Sequence, residues 1–378
     1  MTSRLCCSLI FFYCYYQVVQ INTFSLPLVV NTWGPPFFDA PKKGTNLPAS
    51  KTQTRQESSM QSHLFTTWSV IQNGQSSLDA VEQGCSVCEI EQCDGTVGYG
   101  GSPDENGDTT LDAMIMDGET HDVGSVGCLK NIRSAISVAR SVMEEIVGDD
   151  ATQFAKQMGF KEQSLQTNKS LNIWKSWKKN NCQPNFWKNV QPDPKESCGP
   201  YKPIKRLKCD EGEEDDSIDN NNHDTIGMIV IDKFGRIAAG TTTNGLNHKI
   251  SGRVGDSPIA GAGSYADKAI GGAAATGDGD VMMRFYQRNI FNKIMCYQAV
   301  QNMRNGMSPT KAAEDAIYRI AKYYPNFSGA IVTASIDGKF GAAAHKWTFF
   351  KYSVCSPNLN PNCQYFSVQP ISNDTRNK

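Results

Sequence analysis

The chain has 378 residues, of which 37 are Lys or Arg and 38 are Asp or Glu, giving a formal net charge of −1. This length allows one large domain or two ordinary ones with a sizeable core. The balanced charge excludes the strongly basic composition of nucleic-acid-binding proteins. Thirteen cysteines are many for a reducing compartment and favour an oxidising one.

Residues 1–24 combine one basic residue, Arg4, with a short apolar run over 5–19. This pattern is typical of a secretory signal peptide, and the run is too short to predict a transmembrane helix. A buried N-terminal strand or a weak anchor is the alternative. The end of the signal is placed approximately, because no clean small-residue cleavage motif is visible.

Further along, the chain shows both strand and helix patterns. In chain order they predict a strand at 26–33, helices at 63–73 and 78–85, a strand at 109–117, a helix at 129–146, strands at 226–232 and 236–242, a helix at 308–322, and strands at 328–336 and 340–346. Polar residues 34–61 predict a loop or a disordered insertion, and 152–222 lack periodicity. The succession favours an α+β layered sandwich over a doubly wound parallel fold.

Two cysteine pairs bracket short segments, Cys88 with Cys93 and Cys182 with Cys198. In an oxidising compartment both pairs are predicted to be disulfides that staple loops. A metal site is the weaker alternative, because no paired CxxC set or accompanying histidine is present. The remaining cysteines of interest are Cys355 and Cys363, which are candidates for a local pair, and Cys85, Cys128, Cys209 and Cys296, which have no assigned partner.

Three Asn-x-Ser/Thr triplets are candidate glycosylation sites, at Asn168, Asn326 and Asn373. They are compatible with secretion, although such triplets are common by chance.

The junction at Thr225 is the most informative local feature. An acidic run over 209–219 cannot bury enough apolar surface to fold, whereas 226–232 reads as a buried strand. If the Asp224–Thr225 bond were cut, Thr225 would carry a hydroxyl and a free α-amine on one residue. An α-amine has an unperturbed pKa of about 7.7–8.0 and can serve as general base for that hydroxyl.

Several motifs occur together in a fixed order around this junction. They are 29–33, 93–105, 111–118, 181–187, 223–227, 240–245, 252–258 and 275–279. This set resembles the glycosylasparaginase (aspartylglucosaminidase) family, a branch of the N-terminal-nucleophile hydrolases that also holds the plant-type asparaginases. The resemblance runs from Leu26 to about Ala344. Taken alone, 277–280 could be a turn or a partial calcium loop, but it lacks the ligand pattern of an EF-hand, and no metal site is predicted.

The resemblance implies an α+β fold of the four-layer αββα sandwich type, matured by self-cleavage before Thr225. Residues 25–224 would form an α chain that ends in the acidic linker, and 225–378 would form a β chain in the same catalytic domain. His223 and Asp224 are implied to hold the scissile peptide while the Thr225 hydroxyl attacks it.

The resemblance also implies roles for single residues in turnover. Thr225 would be the nucleophile and its amine the base, with Thr243 and Asn244 orienting them. Thr276 and the Gly277 amide would form the oxyanion hole. The implied substrate-binding residues are Arg253 for the α-carboxylate, Asp256 for the α-ammonium, and Val254, Gly255, Thr276, Gly277, Trp33 and Ser102.

The implied reaction is hydrolysis of the N4-(β-N-acetylglucosaminyl)-L-asparagine linkage to aspartate and the glucosaminylamine, through a β-aspartyl ester on Thr225. No cofactor is expected. The expected partner is a small glycoasparagine, not nucleic acid and, in the mature form, not a membrane. A related asparaginase or isoaspartyl peptidase is the first alternative, and an inactive secreted glycoprotein with this fold is the second.

The resemblance further implies a lysosomal location reached through the secretory pathway, with secretion as the alternative, and a dimer of αβ heterodimers. A lysosomal pH of about 5 would protonate an ordinary α-amine and disable it as a base. We therefore expect burial and the Arg253 cation to lower the pKa of the Thr225 amine.

Overall fold

The computed structural model describes residues 26–34, 49–93, 95–142, 145–188, 190–204, 225–286 and 294–371. The predicted signal peptide, the whole acidic run over 209–219, His223 and Asp224, and the triplet at Asn373 lie outside these residues. In the described part of the chain, no helix is both long enough and apolar enough to cross a membrane.

Within those residues the chain forms eight α-helices and fourteen strands. The strands are β1 (Leu28–Asn31), β2 (Leu111–Asp117), β3 (Val123–Leu129), β4 (Glu145–Val147), β5 (Val190–Gln191), β6 (Lys202–Pro203), β7 (Ile226–Ile231), β8 (Ile237–Thr243), β9 (Ser264–Asp267), β10 (Gly271–Gly277), β11 (Gly329–Ser335), β12 (Phe340–His345), β13 (Phe350–Cys355) and β14 (Cys363–Val368). The helices are α1 (Ala49–Gln72), α2 (Ser77–Glu91), α3 (Ala135–Val142), α4 (Gly148–Gln157), α5 (Asn168–Lys179), α6 (Gly279–Met282), α7 (Met295–Arg304) and α8 (Pro309–Ala321).

The strands form an eight-stranded sheet, a four-stranded sheet and a separate two-stranded pair. The larger sheet has the order β14-β13-β1-β7-β8-β2-β3-β4, and the smaller one the order β12-β11-β10-β9. β7 lies in the middle of the larger sheet, between β1 and β8, and pairs antiparallel with both. The strand that begins just after Thr225 is therefore hydrogen-bonded along both edges.

Three apolar clusters surround these sheets. One contains Val81 of α2 and Met228 of β7 and packs helices α1 to α3 on the larger sheet. Another contains Ile317 of α8 and packs α7 and α8 on the smaller sheet. The third, with Ile229 of β7 and Val332 of β11, brings together residues of both sheets. Every residue of β7 is buried, which explains its continuous apolar sequence.

Most predicted elements are confirmed, and the chain is an α+β protein. The confirmed elements are β1, β2, β7, β8, β11 and β12 among the strands, and α2, α8 and the C-terminal part of α1 among the helices. α2 begins at the predicted cap, Ser76, which forms a capping box with Asp79. α8 begins after Ser308 with a proline in its first turn.

The helix predicted over 129–146 is confirmed only in its middle part. Leu129 ends strand β3, α3 covers only Ala135–Val142, and β4 follows at Glu145–Val147. Leu129, Ile132 and Ile136 are all buried, so their spacing does reflect burial. Asn131 between them has φ of 59°, a left-handed conformation that no α-helix accommodates.

The loop predicted over 34–61 is wrong from residue 49 onward, because α1 begins there and runs to Gln72. α1 packs closely on α2 at Gly84, where a Cβ would lie 2.0 Å from the Thr67 hydroxyl. The segment over 152–222 contains most of α4 and all of α5, which begins with a capping box formed by Thr167 and Ser170. Helix α7 and strands β13 and β14 were also not predicted.

Candidate active site

Thr225 is held by the ends of two strands, one from each large sheet. It precedes β7 and is 7 % exposed. Its backbone N–H donates to Thr276 Oγ1 on β10 at 3.0 Å. Its carbonyl oxygen accepts from Thr32 Oγ1 at 2.9 Å, and the same hydroxyl accepts from the Gly227 amide at 2.9 Å. Hydrogen bonds therefore hold both the backbone nitrogen and the carbonyl group of Thr225 in place.

Thr32 was missed by sequence reasoning, although it lies inside the 29–33 motif beside Trp33. A threonine directly after a buried strand was the available signal, since its hydroxyl can bond neighbouring backbone groups.

Thr243 lies beside Thr225. Ile226 of β7 pairs with Thr242 of β8, and continuing this register by one residue places Thr225 opposite Thr243. The Thr243 hydroxyl accepts from the Gly245 amide at 2.9 Å. Its predicted role in holding the nucleophile stays a prediction.

Asn244 is fully buried and ties the 96–101 loop to the end of β8. Its backbone amide donates to the Thr96 carbonyl at 2.7 Å, and its side-chain Nδ2 donates to the Gly98 carbonyl at 2.8 Å. A Cβ on Gly101 would lie 1.8 Å from Asn244 Oδ1, so only glycine fits there. Ser102, which is 6 % exposed, follows directly and is brought close to Asn244. The structure thus brings together two predicted residues that are far apart in the sequence.

Lys249 is a further buried residue that the sequence did not reveal as special. It is fully buried, and its ammonium donates to the Asn244 carbonyl at 2.7 Å. Burial lowers the pKa of Lys249, and the nearby Asp112 carboxylate opposes that shift. Asp112 also pairs with Thr243 across β2 and β8, so this carboxylate lies on the strand beside the candidate site.

The predicted oxyanion-hole residues lie at the end of β10. Thr276 is 2 % exposed and pairs with Ala330 of β11, and Gly277 pairs with Gly329. Gly277 has φ of 128°, and a Cβ there would lie 2.4 Å from the Gly329 Cα. Glycine is therefore required, and it allows β10 to pass directly into α6 through Asp278, whose side chain accepts from the Val281 amide.

Arg253 and two carboxylates form a charged group in this region. Its Nε donates to Asp280 Oδ1 at 2.8 Å, and its side chain is 14 % exposed. Burial raises the pKa of Asp256 to about 7; the Arg253 cation opposes that shift, and Asp280 and Asp278 add to it. Among the described residues, Asp256 Oδ2 has no hydrogen-bond partner. A partly buried cation near a buried carboxylate with a free oxygen suits a ligand that carries both charges.

Two glycines leave room for the guanidinium. A Cβ on Gly255 would lie 3.0 Å from Arg253 Nη1, and one on Gly245 would lie 2.7 Å from it. Val254, between Arg253 and Gly255, is half-buried. Asp280 was not predicted, because its motif read equally well as a turn.

Trp33 belongs to the core under α1 and α2. It is 1 % exposed, its amide donates to Asn31 Oδ1 at 2.9 Å, and its ring stands edge-on to His63 with centroids 5.9 Å apart. Its predicted role in substrate binding stays a prediction.

The predicted disulfides Cys88–Cys93 and Cys182–Cys198 are confirmed, as is the local pair Cys355–Cys363. The free cysteines of the described residues, Cys85, Cys128 and Cys296, are buried. Asn168 and Asn326 are exposed, as glycosylation would require, and their modification stays a prediction.

The chain belongs to the asparaginase family, whose model matches residues 43–357 and therefore spans Thr225, Thr276 and Arg253. It is 51 % identical over 339 residues to the N(4)-(beta-N-acetylglucosaminyl)-L-asparaginase of Mus musculus, covering 88 % of both chains. Identity to the Rattus norvegicus enzyme of the same name is 50 % over 334 residues, covering 87 % of both chains. A putative N(4)-(beta-N-acetylglucosaminyl)-L-asparaginase of Drosophila melanogaster is 47 % identical over 345 residues, covering 88 % of this chain and 79 % of the relative.

Proposed function

We propose that this chain is a self-processing amidohydrolase that cleaves N4-(β-N-acetylglucosaminyl)-L-asparagine to aspartate and the glucosaminylamine. The observation that best supports this is the position of Thr225: buried before β7, with its backbone nitrogen 3.0 Å from Thr276 Oγ1. The names of relatives near half identity favour the glycosylated substrate over plain asparagine.

The proposed fold is the four-layer αββα sandwich. The three apolar clusters support it, since they pack helices on the outer face of each large sheet and join the two sheets to each other. Such layering buries both faces of each sheet.

Maturation would separate residues 25–224 from residues 225–378. The Thr225 hydroxyl oxygen attacks the carbonyl carbon of Asp224, the C–N bond breaks, and an ester forms while the α-amine is released. Water then hydrolyses the ester and restores the hydroxyl. The hydrogen bond to Thr276 Oγ1 supports this step, because it holds the departing nitrogen in place before and after cleavage. His223 and Asp224 are proposed to hold the scissile bond.

In turnover the same hydroxyl would attack the side-chain amide carbon of the substrate asparagine. The α-amine of Thr225 takes the hydroxyl proton, the glucosaminylamine departs with a proton, and a β-aspartyl ester remains for water to hydrolyse. Thr276 and the Gly277 amide are proposed to stabilise the oxyanion, a contribution of about 3–4 kcal/mol per donor in comparable sites. The burial of Thr225 supports a lowered pKa for its amine.

The substrate's own charges would be bound by Arg253 and Asp256. Arg253 meets the α-carboxylate and Asp256 the α-ammonium, which requires an asparagine freed from its peptide. An asparaginase or isoaspartyl peptidase would use the same clamp, so the leaving-group side of the pocket separates these activities.

A lysosomal location and a dimer of αβ heterodimers complete the proposal. The three disulfides support passage through an oxidising compartment. The exposed triplets at Asn168 and Asn326 are compatible with it.

The decisive experiment is the intact mass of the purified, reduced and deglycosylated protein, followed by assays of aspartate release. Two chains, the second starting at Thr225, with release from glycosylated asparagine exceeding that from asparagine and isoaspartyl dipeptide, would support the proposal. Thr225→Ala should abolish both cleavage and activity. A single uncut wild-type chain, or activity in the Thr225→Ala protein, would overturn it.

A further inference from the structure

Three tryptophans of one segment contact Glu105 and His248, which lie in two loops near Arg253. This tryptophan segment, residues 168–188, comprises α5 and the turn after it. Trp174 Nε1 donates to the Glu105 carbonyl at 3.0 Å, and Trp187 Nε1 donates to Glu105 Oε2 at 2.7 Å. The Trp177 ring stacks on His248, with centroids 4.9 Å apart and planes 9° from parallel.

Glu105 connects this segment to the loop that carries Arg253. Its amide donates to the Lys249 carbonyl at 2.9 Å, and its Oε1 accepts from the Ser251 amide at 3.1 Å. Its two carboxylate oxygens therefore serve different segments, Oε1 the Arg253 loop and Oε2 Trp187. A second bond, from the His248 amide to the Pro103 carbonyl at 2.7 Å, extends the same junction.

The Ser251 amide belongs to a tight turn that ends at Arg253. The Arg253 amide donates to the Ile250 carbonyl at 3.0 Å, and Gly252 has φ of 88°. Positive φ at the third residue is the requirement of a type II turn. Glu105 thus holds the second residue of the turn whose fourth residue is the candidate carboxylate-binding arginine.

We propose that Glu105 is a positioning residue for substrate binding, acting through the Ser251 amide to fix the turn that presents Arg253, with Trp187 fixing Glu105. This inference rests on the proposed function, because it assigns Arg253 to the substrate α-carboxylate. The role requires a carboxylate. The N–H groups of Ser251 and Trp187 each donate to one of its two oxygens, whereas a glutamine amide has one accepting oxygen and an NH₂ group that cannot accept.

An electrostatic role for Glu105 predicts the opposite effect. Removing a negative charge from this region would strengthen the attraction of Arg253 for an anion and lower the KM. Loss of positioning would loosen the turn and raise the KM. The direction of the change therefore separates the two roles.

The test uses the cleaved wild-type protein, Glu105→Gln, Trp187→Phe and the double variant. Trp187→Phe keeps an aromatic ring beside Tyr201, whose centroid lies 5.3 Å away, and removes the indole donor. Glu196→Gln is the matched control, because Glu196 is exposed and its substitution makes the same change of charge. We measure kcat and KM for the glycoasparagine, and inhibition constants for aspartate and for β-alanine, which is aspartate without its α-carboxylate.

For Glu105→Gln we expect a KM about 10-fold higher, with kcat changed by less than about 2-fold. The reason is that the variant loses one charge-assisted hydrogen bond, and this loss affects substrate binding. The inhibition constant of aspartate should rise in parallel, and that of β-alanine should stay constant. Trp187→Phe should raise the KM less, and the double variant should match Glu105→Gln, because the two residues act in one chain.

An unchanged or lower KM in Glu105→Gln, equal losses for aspartate and β-alanine, or additive effects in the double variant would overturn the positioning role while leaving the proposed function intact. If Glu105→Gln fails to fold or to cleave, the aspartate and β-alanine constants of Trp187→Phe decide the question alone. An inactive wild-type protein would instead overturn the proposed function itself.

Discussion

Arg253 and Asp280 are joined through a single carboxylate oxygen: Asp280 Oδ1 lies 2.8 Å from Nε and 2.6 Å from Nη2 of the guanidinium. Asp280 lies in α6, which begins two residues after Gly277 at the end of β10. One ion pair therefore links the proposed substrate clamp to the proposed oxyanion hole. It occupies the Nε and Nη2 edge of the guanidinium.

Removing this ion pair should weaken substrate binding. In Asp280→Asn the guanidinium loses its anionic partner, and we expect the KM for the glycoasparagine to rise by about 10-fold, with a smaller effect on kcat. Steady-state kinetics of the cleaved protein measure this change. Asp122→Asn, at an exposed position, is the control and should match the wild type. A KM within about 2-fold of wild type would show that Arg253 is oriented by other contacts.

Removing the Thr276 hydroxyl should slow both maturation and turnover. Thr276→Val preserves the shape of the side chain but removes the group that accepts from the Thr225 amide. We expect the rate of self-cleavage and kcat each to fall by about 10²–10³-fold, the cost of losing one oxyanion donor.

Time-resolved intact mass and initial rates measure the two effects of Thr276→Val. Thr333→Val is the matched control, because it removes an equally buried, hydrogen-bonded hydroxyl on the adjacent strand β11. It should lower stability and leave both rates nearly unchanged. Rapid, complete cleavage of Thr276→Val would contradict the assignment.

The acid limb of kcat/KM should report Asp256. Burial raises the pKa of this carboxyl to about 7 in the unliganded protein. Protonation below that pH removes the anion that pairs with the substrate ammonium, so kcat/KM should fall by up to about 10-fold per pH unit below pH 7. In the complex, the ammonium stabilises the ionised carboxylate and lowers its pKa, so kcat should stay level over the same range. A kcat/KM that is independent of pH between about 5 and 8 would contradict this role.

Glu89 should make the free energy of unfolding fall as the pH rises from 4.5 to about 7. This residue is fully buried, and burial raises its pKa from 4.5 to about 7, although the Thr242 hydroxyl and the Ile136 amide donate to it. The folded state therefore binds more protons than the unfolded chain between those values. Glu89 contributes its full stability below the unfolded pKa and loses it as pH rises through about 7, a change of about 3 kcal/mol.

Glu89→Gln should remove this part of the pH dependence. Urea unfolding at about pH 4 and pH 8, in an uncleaved Thr225→Ala background, compares the slopes of the unfolding free energy. Burial lowers the pKa of His248 to about 4, an opposite trend that is common to both proteins and cancels in the comparison. Glu91→Gln, exposed on the same helix, is the control. Parallel pH profiles for Glu89→Gln and its parent would contradict the prediction.

The sequence predicts those parts of the molecule in which a local pattern is enough. The run over 226–232 and the Ser308 cap identify their elements because alternation, burial and capping act over a few residues. The helix over 129–146 fails at its N-terminal end because burial spacing alone does not report the left-handed φ of Asn131. The N-terminal part of helix α1 was missed because its first turns have the composition of a polar loop.

The candidate site follows the same division. Thr225, Thr276 and Arg253 were found through motifs, but Asp280, Lys249 and Thr32 contribute through contacts that depend on how the chain folds. Lys249 meets the Asn244 carbonyl only because a turn folds back on β8, and Thr32 meets Thr225 across a separation of 193 residues. A single sequence contains no signal for such pairings.

The strand order of the larger sheet has a consequence for the two chains that cleavage before Thr225 would produce. Strands from the two sides of that bond interleave, so the pieces share the borders β13–β1, β1–β7 and β8–β2. The two chains cannot dissociate unless the sheet unfolds. Once it has unfolded, no peptide bond connects them. Refolding then becomes a bimolecular encounter that slows on dilution, whereas an uncut chain reassembles by itself. Maturation would thus be irreversible, and the active form would persist because it unfolds slowly.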